Sequence, residues 1–127
     1  MVVAVIVAGI AGTAASATNG VHRFFLAPGR STTSCELASA YPSLGTFAYC
    51  QIGPPGATSV TMSAKGTLKV CRGARCLGNP PDGDRTLAYG EAVTAGPFQC
   101  TAEHDGIRCT VRSGLGFLIG PAGLKKL

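Results

Sequence analysis

Six cysteines are the residues best placed to do chemistry in this chain of 127 residues. They fall into three sequence-near pairs: Cys35 with Cys50, Cys71 with Cys76, and Cys100 with Cys109. Cysteines so arranged serve as disulfides, as metal ligands or as nucleophiles. Structural zinc asks for ligand pairs about two to four residues apart. Only Cys71 and Cys76 reach the edge of that range, and His22 and His104 have no partner at ligand spacing. Metal binding is therefore disfavoured. A free catalytic thiol meets a similar objection, because all six cysteines pair off. Disulfides remain, as expected for a small exported chain with little core to spare. Six cysteines can pair in many ways and sequence alone does not choose among them; proximity favours Cys35–Cys50, Cys71–Cys76 and Cys100–Cys109.

Other candidates carry less. His104-Asp105 invites an acid–base reading, but no nucleophile or cleft accompanies it, and Asp105-Gly106 is ordinary turn chemistry. Asp82-Gly83-Asp84 lacks the ligand pattern of a calcium loop. Glu36, Glu91 and Glu103 are not spaced to place two carboxylates on one surface. Gly114-x-Gly116 is not a nucleotide loop, since no helix follows it; it reads as a strand where backbones approach closely. Tyr41, Tyr49 and Tyr89 read as core or rim packing rather than a carbohydrate platform. No residue is assigned a catalytic role and no cofactor is implied.

The basic residues are the best candidates for contact. The formal net charge is +5. Arg72 and Arg75 project from the short Cys71–Cys76 ring, and Lys65 and Lys69 lie on the segment before it, which suggests positive charge gathered at one end. Such charge attracts acidic lipids, envelope polymers or nucleic acid. No aromatic residues are interleaved with the basic ones, so stacking on bases is unsupported and nucleic acid is disfavoured.

The elements that position these residues begin after a targeting segment. Val2 to Gly12 is an unbroken apolar run, shorter than the roughly 20 residues that span a bilayer, and it has the form of a signal-peptide h-region. Ala15-Ser16-Ala17 follows with the small-x-small form of a cleavage site. No Lys or Arg precedes the run, so the free amino group would supply the positive charge. Residues 1–17 are thus expected to be a signal peptide and 18–127 a single mature domain with no membrane-spanning segment. There is no Trp, and charged residues make up 13% of the chain, while Gly (18) and Pro (8) are abundant. That balance favours short strands and many turns over helices.

Alternation marks the strands. They are expected at Val21–Leu26, Thr32–Leu37, Thr46–Ile52, Thr58–Met62, Thr67–Val70, Leu87–Tyr89, Ala92–Ala95, Phe98–Ala102, Ile107–Val111 and Leu115–Ile119. Ala38 to Gly45 is expected to be a loop. No window keeps helical spacing, so no helix is expected in the mature domain. The segments around Cys35/Cys50 and Cys100/Cys109 resemble each other, which suggests two equivalent hairpins packed in one small barrel or sandwich. If Cys100 faces Cys109, then Glu103 faces Gly106, His104-Asp105 centres the turn, and Phe98 shares the buried face of Cys100. A tight Asp105-Gly106 turn would instead set the cysteines diagonally.

Leu87-Ala88-Tyr89-Gly90-Glu91, Gly96-Pro97-Phe98-Gln99-Cys100, Gly106-Ile107-Arg108-Cys109 and Gly114-x-Gly116-Phe117 together resemble a family of small exported actinobacterial, mycobacterial-type, cysteine-containing β-domain proteins of unknown function. Phe25 to Cys35 resembles that family's opening, although Pro28-Gly29-Arg30-Ser31 departs from its usual turn. The resemblance implies secretion, disulfides and a β fold, and brings no catalytic residues with it. The reading is an all-β, disulfide-stapled domain, secreted or held in the cell envelope, acting as a binding or interaction module for an anionic envelope component or a secreted protein. The alternative is a small secreted enzyme or enzyme inhibitor with a loop-built site. N-terminal sequencing of the exported protein is expected to begin at Thr18; recovery of Met1 outside the cell would contradict the signal peptide.

Overall fold

Strands that alternate buried and exposed residues, closed by glycine-rich turns, build two facing sheets. A computed structural model describes residues 20–29, 32–78 and 85–127; the expected signal peptide and Asp82-Gly83-Asp84 lie outside them. The strands are β1 (Val21–Leu26), β2 (Ser34–Tyr41), β3 (Gly45–Ile52), β4 (Thr58–Met62), β5 (Leu68–Arg72), β6 (Arg85–Thr86), β7 (Ala92–Ala95), β8 (Phe98–Glu103), β9 (Gly106–Thr110), β10 (Gly116–Gly120) and β11 (Gly123–Lys126). The first sheet has the order β5-β4-β3-β2-β1-β6 and the second β11-β10-β9-β8-β7. All pairings are antiparallel except β1 with β6. The fold is all-β and sandwich-like, with no closed barrel. Among the described residues the sole helical element is a 3-10 turn at Ala74–Cys76.

All three expected disulfides are present. Cys35 faces Cys50 across β2 and β3 with Cα atoms 4.1 Å apart, and Cys100 faces Cys109 across β8 and β9 at 4.0 Å. Cys71–Cys76 closes the ring after β5, with Cα atoms 5.7 Å apart. The hairpin likeness has a structural counterpart, because each hairpin supplies the middle of one inner face. Phe25, Cys35, Cys50 and Val60 form a cross-strand row in the first sheet. Val93, Cys100, Cys109 and Phe117 form one in the second. The disulfides meet between the sheets, with Cys50 Sγ 3.8 Å from Cys109 Sγ. Phe25, Phe98 and Phe117 are each at most 1% exposed and fill the core around them.

The C-terminal hairpin has the expected register. Cys100 pairs with Cys109 and Glu103 with Gly106, leaving His104-Asp105 as the loop. Gly106 is required twice over: its φ is +144°, and a Cβ there would overlap the Ile119 carbonyl.

Three expectations are corrected. The loop expected over Ala38 to Gly45 is mostly strand, with Pro42-Ser43-Leu44 as the turn between β2 and β3. The register shifts between Ala38 and Tyr41; Ala40 takes φ +49°, and its N–H donates to Thr46 Oγ1 at 2.9 Å. That bulge lets the ladder pass a stretch whose sequence looks irregular. Leu87–Tyr89 is not a strand. Pairing stops at Thr86, Leu87 turns into the core, and Glu91 closes a turn by bonding back to Ala88. Finally, Gly123–Lys126 is an unexpected edge strand on β10. Its lysines hid it, although lysine is a common guard of exposed sheet edges.

Replacing Phe98 by Ala removes a fully buried ring and leaves a cavity, so it should lower stability by about 3–5 kcal/mol. Denaturant unfolding under non-reducing conditions measures this; a change near zero would mean that the ring is not part of the core.

Candidate functional site

The Cys71–Cys76 disulfide ring carries exposed charge on a covalently closed turn. Arg72 ends β5 opposite Thr58, and the chain then folds into the 3-10 turn bearing Arg75. Gly73 N–H donates to the Ala57 carbonyl at 2.8 Å, and Cys76 N–H to the Gly73 carbonyl at 3.0 Å. The Cys71–Cys76 bond closes the loop covalently. Both arginines are exposed on a support with little freedom, and Arg72 borders an open groove with Pro55 and Pro121.

The basic residues do not all share one end. Lys69 sits on β5 opposite Thr61, and Lys65 lies in the turn at the far end of the β4–β5 hairpin. At about 3.3 Å of strand per residue, Lys65 and Arg72 are on the order of 20 Å apart. Arg72 and Arg75 thus lie three residues apart at the ring, and Lys65 is separated from it.

Charge pairing sharpens the contrast. Glu36 accepts from His22 Nε2 at 2.7 Å, Glu91 pairs with Arg85, and Glu103 accepts from Arg108 Nε at 2.8 Å. Among the described residues, none of Lys65, Lys69, Arg72 and Arg75 forms an ion pair. Three of the described carboxylates, Glu36, Glu91 and Glu103, are committed to these other partners.

The remaining candidates are accounted for by packing. The His22 ring lies against Phe24 and Tyr41, with centroids 4.5 and 4.6 Å away, while its Nε2 meets Glu36. His104 stacks on Tyr89 at 4.2 Å. Both histidines are thus held by ring neighbours, and His104 also borders two open surface grooves. The Sγ atoms of Cys35, Cys50 and Cys109 lie within 4.8 Å of one another. All three are bonded in disulfides, so this closeness is the packing of two disulfides.

One device was missed by sequence reasoning. β5 and β6 lie at opposite edges of their sheet, and the described part of the chain leaving β5, residues 73–78, runs onto the outer face. Gly78 is fastened there by Gln51, which accepts from Gly78 N–H at 2.7 Å and donates to its carbonyl at 2.9 Å. The Tyr49 hydroxyl lies 2.7 Å from Gln51 Oε1 and 3.0 Å from the Cys76 carbonyl oxygen. This explains why Ser34, Gln51 and Ser59 are buried although they sit on the face opposite the disulfides. The ring is therefore anchored on both sides, at β4 through Gly73 and at β3 through this strap. Only the polarity of Gln51 at a strand position hinted at it.

No helix among the described residues is long and apolar enough to cross a membrane. Comparison with protein-family models, with curated proteins and with solved structures finds no significant match. The class defined by the fold is a β-sandwich stapled by two core disulfides and one surface disulfide.

Replacing Gln51 by Ala removes both bonds to Gly78 and should lower stability by about 1–3 kcal/mol. Amide exchange at Gly78 and Leu77 is expected to quicken while exchange at Cys109 relative to global unfolding is unchanged; equal protection at Gly78 would show that the strap is held by something else.

Proposed function

We propose that the protein is an exported, non-enzymatic binding module that engages an anionic partner in the cell envelope or extracellular space through Arg72 and Arg75. One observation carries the reading: two arginines that form no ion pair among the described residues sit on a ring closed by a disulfide and hydrogen-bonded to its sheet. A rigid support reduces the conformational entropy lost when a side chain is captured by a ligand. Guanidinium groups match carboxylate and phosphate in geometry as well as charge. Disulfides persist in oxidising compartments, and three of them fit an extracytoplasmic setting. On this reading the chain is a member of the small exported actinobacterial family that it resembles.

The experiment compares binding of the mature chain to fluorescently labelled polyanions, one carboxylated and one phosphorylated, by anisotropy. Arg72→Ala/Arg75→Ala is expected to weaken binding by about tenfold or more, as for loss of hydrogen bonds to charged groups. Lys125→Ala/Lys126→Ala removes the same charge from another edge and should cost much less. Equal losses would mean that net charge alone drives association. Binding should also weaken with added salt, since exposed charges are screened.

A further inference from the structure

Lys65, parted from the arginine ring, stands beside a second exposed cation. The turn between β4 and β5 packs on the turn between β9 and β10. A Cβ on Gly66 would lie 2.8 Å from Leu115 Cβ and 3.2 Å from Val111 Cγ2. The two turns come from different sheets, and their contact sets Lys65 and Arg112 on one open groove of about 930 Å³.

Three properties of this groove point to a ligand. The first is charge: no Asp or Glu lines it, and neither Lys65 nor Arg112 forms an ion pair among the described residues. The second is rigidity. Ser63 Oγ accepts from Thr67 N–H at 3.1 Å and lies 3.3 Å from Lys65 N, and Gly66 N–H donates to the Ser63 carbonyl at 2.9 Å. In the facing turn, Val111 N–H donates to the Leu115 carbonyl and Gly114 N–H to the Val111 carbonyl, both at 2.9 Å. Both cations thus stand on hydrogen-bonded supports. The third is the neutral part of the lining. Thr94, Gln99 and Thr110 are directly paired across β7, β8 and β9, and all three border the groove. Three adjacent strands set these neutral hydrogen-bonding groups in a row about 10 Å long, which suits a chain better than a single ion.

We infer that this groove binds an acidic glycan, a hydroxylated chain whose carboxylate or phosphate groups meet Lys65 and Arg112 while its hydroxyls meet Thr94, Gln99 and Thr110. Charge-assisted bonds supply affinity at the two cations, and the neutral row supplies preference for a polyol over a bare anion. Nucleic acid fits less well, because the sole aromatic residue lining the groove is Phe98, whose ring is buried and offers no face for a base. This inference rests on the reading of the protein as a binder of anions and assigns it a second site, remote from Arg72 and Arg75.

The test is an amide-shift titration of the isotopically labelled mature chain with tetragalacturonate, a glycerol-phosphate oligomer, maltotetraose, inorganic phosphate, a short DNA single strand and vesicles containing anionic lipid. One or both anionic oligomers should shift Thr94, Gln99, Thr110, Arg112 and Ser113 together, with maltotetraose and inorganic phosphate much weaker. Lys65→Ala and Arg112→Ala should each weaken binding by about tenfold, the scale of a lost charge-assisted bond, with all other resonances in place to show that the variants fold. Equal shifts with maltotetraose would overturn the role of the cations. A tighter response to vesicles or DNA than to either oligomer would overturn the glycan class. Shifts confined to the Arg72–Cys76 ring would overturn the groove while leaving the reading of the protein as an anion binder intact, and no shift with any anionic probe would overturn both.

Discussion

The contact on which this structure depends is the stacking of two disulfides at the centre of the sandwich. Antiparallel strands bring directly opposite residues closest at their non-hydrogen-bonded pairs, where Cα atoms approach to about 4.5 Å. Cys35–Cys50 and Cys100–Cys109 each bridge an opposed pair at about that separation, and each locks the register of its hairpin. A slip of one residue would turn every side chain to the other face. With both registers locked and the sulfurs of Cys50 and Cys109 in contact, the alternation along β2, β3, β8 and β9 has one consistent inner face. A chain without Trp has few large side chains to fill that layer. The compact disulfides let three phenylalanines and the aliphatic residues close it.

The same economy explains where polarity goes. The inner faces consume the apolar residues, and residues 73–78, which follow β5, cross onto an outer face that is itself partly polar. Gln51 and Tyr49 meet the backbone groups of that connection, and burying those groups unpaired would be costly. The ring carrying Arg72 and Arg75 is held in place by this crossing and by its own disulfide. Exposed charge and structural constraint thus share one short segment.

Carboxylates are scarce in this chain and most of those described are committed to nearby bases. His22, Arg85 and Arg108 take up Glu36, Glu91 and Glu103. Most of the described cations left over are distributed by topology into the arginine ring, the Lys65–Arg112 groove and the lysine-bearing edge strand β11. Edge lysines have a sufficient explanation in guarding an open ladder. The ring and the groove have none of that kind, and both present charge on hydrogen-bonded turns.

Much of this was legible in the sequence because the decisive contacts are local. Cysteines separated by short, turn-rich segments pair with their neighbours, and a facing pair dictates the register of everything around it, including Gly106 opposite Glu103 and the burial of Phe98. Alternation and the abundance of Gly and Pro settled the all-β class for the same reason, since both act over a few residues. Tertiary structure alone decided what depends on distant segments meeting. Nothing in the run Ala38–Gly45 shows that a bulge at Ala40 lets two strands continue through it, nor does Leu124-Lys125-Lys126 announce an edge strand until β10 lies beside it. The strap over Gln51 exists because β5 and β6 fall on opposite edges of one sheet. Lys65 and Arg112 lie far apart in the chain and come together when two sheets stack and two turns touch through a glycine. Local chemistry chose the strands and their staples; the packing of the sheets chose which charges became neighbours.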